Sequence, residues 1–212
     1  MNKLNLLALS MQTVHIFDLD GTTIDSFERV EPCLREGGDL DLDKYRKEAC
    51  VHNKVMRDKL MPLADYMKAL ISKGEIVVIC TARHMANSDY YYLRKNGLRV
   101  PLVLSRDQLH KHFTAEQVQR IYNSGDAAYK GAYFDMLLER FGTNHEFIMY
   151  DDHQGVLKAA KARGFTAIDA TNLNLMLEIA YQQGFNDMEE LAYNESESLI
   201  ESLTGQLLGA SA

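Results

Sequence analysis

Two aspartates two residues apart, Asp18 and Asp20, stand where the apolar run of "TVHIFDLDGTT" gives out. Residues two apart on a strand point the same way, so these like charges meet unless something opposes them. Three further stretches offer groups that such a site needs: Thr81 and Arg83 in "ICTAR", Asp126 and Lys130 in "SGDAAYKG", and Asp151 and Asp152 in "IMYDD". Asp126 and Lys130 are four apart and share one face of a helix start. Carboxylates gathered in this number require a counter-charge. An oxygen-preferring dication supplies it, and Mg²⁺ typically combines one or two carboxylates with waters and substrate phosphate oxygens. A lysine, an arginine and a hydroxyl beside that ion make a pocket for a phosphoryl group. A carboxylate in such a pocket can attack phosphorus and form an aspartyl-phosphate. Gly21 lets the chain turn sharply after the pair, where a side chain would crowd a substrate.

These groups meet only if the strand ends that carry them lie side by side. Five apolar runs read as strands: Thr13 to Leu19, Glu75 to Thr81, Pro101 to Leu104, His145 to Asp152 and Phe165 to Ala170. Helical patterns separate them. "PLADYMKALISKG" has Pro62 at its first turn, Gly74 at its end, and Leu63, Met67, Leu70 and Ile71 on one face. "ANSDYYYLRKNG", "DAAYKGAYFDMLLERFG" and "QGVLKAAKARG" likewise stop at Gly97, Gly142 and Gly164. The alternation predicts an α/β fold, a mostly parallel sheet with helices on both faces. In such sheets the site lies outside the carboxyl ends of the strands.

Two segments break the pattern. Asp25 to Leu60 is polar, contains Gly37 and Gly38, and is too long for a βα loop. It reads as a small cap insert, about 25–60, with one helix over roughly Leu42 to Arg57, lying over the end of the first strand. Residues 173–212 read as a helical C-terminal tail of one or two helices, which packs on the domain of residues 1–172 or joins two copies of the chain. The net charge of −7 with no basic run argues against broad, sequence-independent binding to a duplex. Cys33, Cys50 and Cys80 have no metal-type spacing and read as reduced thiols in a cytoplasmic protein. No stretch is apolar enough to span a membrane.

"DLDGT", "ICTAR", "YKG" and "YDD" stand in the order and contexts of the four motifs of the haloacid dehalogenase-like superfamily of phosphohydrolases. The resemblance covers about Thr13 to Ala170. It implies a Rossmann-like α/β fold and Mg²⁺-dependent hydrolysis of a phosphomonoester. By this resemblance Asp18 is the nucleophile and a metal ligand. Asp20 is the general acid and then the base, a ligand through its backbone carbonyl, and the carboxyl with the higher pKa of the two. Thr81 bonds the phosphoryl group, Lys130 neutralises its charge, and Asp151 and Asp152 complete the metal site. A closer likeness is to the phosphatase half of phage-type polynucleotide kinase–phosphatases. That group has an arginine shortly after the first motif, another two residues after the second-motif hydroxyl, and a "GDxxxK" third motif; these fall here on Arg29, on Arg83, and on Asp126 with Lys130. Arg29, Arg83, Asp126, Gly21 and Thr22 are accordingly expected at the substrate. The chain has no "GxxxxGK[ST]" phosphate loop, so no kinase half accompanies it.

The substrate expected from this likeness is a nucleic-acid 3′-phosphate or a nucleotide. A 5′-nucleotidase acting on free nucleoside monophosphates is the alternative, and a non-catalytic binding or assembly protein is a further one. Other conspicuous residues have plainer readings: His110, Lys111 and His112 as a solvated loop, His153 as a surface residue, Tyr90 to Leu93 as core and helix surface, and Cys80 as packing.

Overall fold

In this computed structural model, which describes residues 12–182, the chain begins with β1 (Thr13–Phe17), turns through residues 18–23 into β2 (Ile24–Asp25) and enters the insert. The insert holds α1 (Phe27–Val30), a 3₁₀ turn (Glu31–Cys33), α2 (Leu42–Lys44) running into a π-helical stretch (Tyr45–Ala49), α3 (His52–Val55) and β3 (Lys59–Leu60). Helices and strands then alternate: α4 (Leu63–Lys73), β4 (Ile76–Cys80), α5 (Asn87–Lys95), β5 (Leu102–Leu104), α6 (Ala115–Tyr122), α7 (Asp126–Phe141), β6 (Glu146–Asp151), α8 (Gln154–Lys161), β7 (Thr166–Asp169) and α9 (Ala170–Gln182).

Each of the five apolar runs contains a strand, and the five form one sheet in the order β5–β4–β1–β6–β7. All four pairings are parallel. The strands are apolar throughout because both sheet faces are covered. Successive side chains point to opposite faces, and the core divides accordingly. Val14, Ile16, Val78, Cys80, Phe147 and Met149 pack with residues of α7 and α8 on one face. Phe17, Val77, Ile79, Ile148 and Tyr150 pack with α4, α5 and α9 on the other. Met67 is fully enclosed in the second cluster, and its truncation to alanine costs about 2–5 kcal/mol. α4 runs between the expected signals: Pro62 precedes it, and Gly74 closes it with φ 79°, a left-handed conformation that costs glycine little.

The insert differs from the single helix expected over Leu42 to Arg57. That helix is interrupted at Val51, whose backbone is extended (φ −86°, ψ 144°). The insert has its own small core of Cys33, Tyr45 and Ala49, and the antiparallel β2–β3 pair, Ile24 opposite Leu60 and Asp25 opposite Lys59, joins its two ends. α6 is a helix that the apolar pattern did not disclose. It begins with a capping box in which Thr114 and Gln117 satisfy each other's backbone amides.

The first residues of the expected tail belong to α9. Its Leu173 and Leu177 are buried in the main core, so the start of the expected tail packs on the sheet. The rest of the tail lies outside the described residues. Among the described residues no helix is long and apolar enough to cross a membrane.

Candidate active site

Because β4 and β6 flank β1, the residues that end these three strands are neighbours. Asp18 follows β1 and donates its amide to Tyr150 O (3.0 Å), Thr81 follows β4 and donates its amide to Leu104 O (2.9 Å), and Asp151 ends β6. After Asp18 the chain folds back tightly. The amides of Thr22, Thr23 and Ile24 all point at Leu19 O (3.2, 2.9 and 2.8 Å), and Thr23 Oγ1 donates to Asp18 O (3.0 Å). Gly21 sits at φ 73°, and a Cβ there would lie 2.3 Å from Asp152 Oδ2. The left-handed backbone angle favours glycine here, and the Asp152 carboxylate occupies the space a side chain would take. Asn174 of α9 braces this turn: its Nδ2 donates to Thr22 O (2.8 Å), and its Oδ1 accepts from the Leu63 amide (2.8 Å).

Lys130 reaches the strand ends from the second turn of α7. Its Nζ lies 2.9 Å from Asp18 Oδ1 and 2.7 Å from Asp151 Oδ2. All three side chains are buried. Burial alone would lower the lysine's pKa, but Asp18 and Asp151 raise it, so it stays charged. Asp18 is pushed up to about 7, first by burial and then by the like charges of Asp151 and Asp20, against the pull of Lys130. Burial and Asp151 also raise Asp152. Thr81 Oγ1 accepts the Arg83 amide (3.2 Å), which leaves its hydroxyl hydrogen to donate elsewhere.

Asp20 lives differently. Arg83 Nε donates to its Oδ2 (3.0 Å), Arg83 Nη2 and Ser26 Oγ donate to its Oδ1, and Arg29 Nη2 lies 4.0 Å away. Burial would raise this carboxyl, but the charge and hydrogen bonds of Arg83, with Ser26 and Arg29, hold it down at about 2. The expected order is therefore reversed: Asp20, not Asp18, has the lower pKa. The cause is the pair of guanidiniums beside Asp20 against a lone ammonium shared among the carboxylates around Asp18.

The two arginines expected at the substrate are engaged with carboxylates. Arg83 also binds Asp89 (3.0 Å) and Asp58 (3.4 Å), and Arg29 Nε binds Asp58 (2.8 Å). Asp58 belongs to the insert, so this buried network ties the insert to the Asp20 turn. Arg83 still lines the cavity over the strand ends, whereas Arg29 and Thr22 do not. Thr22 is turned inward, fully buried, with its carbonyl on Asn174. Asp126 lines the cavity paired with Arg106 (2.5 Å), which lies over the Tyr129 ring. His153 caps α8, its Nδ1 accepting from the Gly155 and Val156 amides (3.1 and 3.3 Å). Arg106, Phe27, Arg46 and Tyr122 also line the cavity, whose volume is about 730 Å³, and were not singled out from the sequence. An arginine just after a strand, in "VLSRDQ", was the available signal for Arg106; Phe27 and Arg46 depend on the insert's fold, and Tyr122 on α6.

The donor set fits a dication. Among the described residues Asp18, Asp151 and Asp152 each offer a carboxylate oxygen within 4.8 Å of the others. Three carboxylates meet one ammonium there, the donors are hard oxygens, and the upward push on Asp18 is what a bound cation would relieve.

The fold resembles a haloacid dehalogenase-like hydrolase from Streptococcus pneumoniae, with a TM-score of 0.50 and 13% identity over 74% of this chain and 83% of that one. A second S. pneumoniae hydrolase gives 0.50 and 15%, over 79% and 98%. At such identities the likeness concerns the fold, which is haloacid dehalogenase-like. The model of the bacteriophage T5 5′-deoxynucleotidase family matches residues 1–207. The chain belongs to this family. A 5′-deoxynucleotidase of Escherichia phage T5 is 49% identical over 172 residues, 78% of this chain and 70% of the relative. As a member of the T5 5′-deoxynucleotidase family the chain is an enzyme, a hydrolase of the phosphatase class, and the reading as a non-catalytic binding protein falls.

Proposed function

We propose that the chain removes the 5′-phosphate from free 2′-deoxynucleoside monophosphates, with Asp18 as nucleophile. The observation that carries the chemistry is the Asp18–Lys130–Asp151 bridge at the strand ends, beside a cavity of small-molecule size. Of the two substrate readings left open by the sequence, the mononucleotide is favoured, because the phage T5 relative is a 5′-deoxynucleotidase.

Lys130 and the Thr81 hydroxyl hold the phosphoryl group against Asp18. A carboxylate oxygen of Asp18 bonds to phosphorus as the bond from phosphorus to the 5′-oxygen breaks, and Asp20 gives its proton to that oxygen. The nucleoside leaves. Asp20, now ionised, takes a proton from a water whose oxygen attacks phosphorus, and inorganic phosphate is released with Asp18 restored. Arg83, Ser26 and Arg29 favour the ionised form of Asp20, the one the second step uses. A phosphoryl dianion beside it opposes Arg83 and favours the protonated form that the first step uses. Asp18, Asp151 and Asp152, with the Asp20 backbone carbonyl, would hold Mg²⁺, whose charge lets the Asp18 carboxylate and a phosphate dianion approach each other. The cysteines are free, which fits a reducing cytoplasm.

Phosphate release from nucleoside 5′-monophosphates, sugar phosphates and a 3′-phosphorylated oligonucleotide tests the reading. Deoxynucleoside 5′-monophosphates are expected to be the best substrates, with activity lost on chelation and restored by Mg²⁺. Preference for the oligonucleotide 3′-end would overturn it.

A further inference from the structure

The cavity over the strand ends has a charged floor and a side wall of a different kind. Phe27, Val30, Leu40 and Leu42, all from the insert, line the same space as the site carboxylates. Phe27 is 58% exposed and Leu42 49%, and neither belongs to the insert's own core of Cys33, Tyr45 and Ala49. Large apolar side chains left open within a catalytic cavity are surface held in reserve for a ligand.

The position of Phe27 is set by the site. Ser26 Oγ donates to Asp20, and the Phe27 amide donates to Asp25 Oδ1 (3.0 Å). Neighbouring Cα atoms are ~3.8 Å apart, so the ring stands one residue beyond the hydroxyl that touches the proton-transfer carboxylate. These four side chains carry no hydrogen-bond donor or acceptor. A sugar or polyol would lose its hydrogen bonds to water there without replacement. A flat aromatic group loses little and gains stacking. Polar groups line the same cavity: Arg46 of the insert reaches Tyr122 OH of α6 (2.8 Å), with His84 Nε2 3.3 Å from the same hydroxyl.

We infer that Phe27 is the stacking platform for the nucleobase, with Leu42 completing the apolar wall, so that the insert sets the preference for nucleotides over other phosphate esters. The inference rests on the nucleotidase reading and deepens it.

The test compares one 2′-deoxynucleoside 5′-monophosphate with 2-deoxyribose 5-phosphate, which has the same phosphate and sugar without the base. Wild-type chain, Phe27→Ala and Phe27→Trp are assayed in Mg²⁺. The readout is the ratio of the two kcat/KM values, which does not depend on the fraction of protein folded. Wild type is expected to favour the nucleotide. Phe27→Ala should lower the ratio by roughly tenfold, mainly through KM for the nucleotide, and Phe27→Trp should preserve it. A ratio unchanged in Phe27→Ala, or a tryptophan variant that loses it equally, overturns the platform and leaves the nucleotidase reading standing. Wild type that shows no preference for the base also overturns the platform alone. Wild type that hydrolyses neither compound overturns the nucleotidase reading and the platform with it.

Discussion

Asp18 shares one ammonium, that of Lys130, with Asp151, whereas Asp20, two residues further on, faces the Arg83 fork, the Ser26 hydroxyl and, at longer range, Arg29. One carboxyl is pushed up to about 7 and the other held at about 2. A symmetric-looking pair in the sequence is thus asymmetric in its partners. The Asp18 side is short of positive charge and suits a cation and a bound dianion. The Asp20 side is already neutralised by protein groups and is fixed in place by them, which suits a group that handles a proton at a defined position.

Removing the attacking oxygen should have the largest effect. Asp18→Asn is expected to lower phosphate release by on the order of 10⁴-fold or more, with far-UV circular dichroism unchanged. Lys130→Met strips the Asp18 side of its resident cation. We expect turnover to fall on the order of 10³-fold. Stability in urea should fall by about 3–5 kcal/mol, because Asp18 and Asp151 lose a buried partner. If Mg²⁺ restores much of that stability, the charge deficit assigned to this side is confirmed.

Arg83→Lys acts on the Asp20 side and on the Asp58 and Asp89 contacts that Arg83 also makes. It removes the two-pronged grip and is expected to cost about 10²-fold in kcat, with KM changing much less. An effect confined to KM would instead make Arg83 a substrate contact. Asn174→Ala loosens the brace common to both carboxylates. Leaving Thr22 O and the Leu63 amide unpaired should cost about 1–3 kcal/mol in urea unfolding, with turnover altered far less than in the other three variants.

The sheet was legible because a parallel strand covered on both faces is an uninterrupted apolar run, and the glycines after the helices marked where each run begins. Asp18, Thr81 and Asp151 were legible because strand ends of a parallel sheet converge, so their positions follow from chain order; Lys130, on α7, was read from its place in the third motif. The insert was not. In residues 25–60 apolar positions are sparse, and its fold depends on the β2–β3 pair and on Arg29, Asp58 and Arg83 meeting across distant parts of the chain. For the same reason the pKa order of Asp18 and Asp20 could not be read. It is decided by Arg83, 63 positions from Asp20, and by Ser26 at the mouth of the insert. Asn174 escaped notice because nothing local distinguishes an asparagine that braces a turn 152 positions away.

The division of labour between the two carboxylates is tested most directly by a burst measurement with an aryl phosphate, whose phenolate leaves without needing a proton. Asp20→Asn should release phenolate in a burst stoichiometric with enzyme and then stall, because Asp18 is phosphorylated but no base activates water, while Asp18→Asn should give no burst. A burst from Asp18→Asn, or none from Asp20→Asn, would contradict the account.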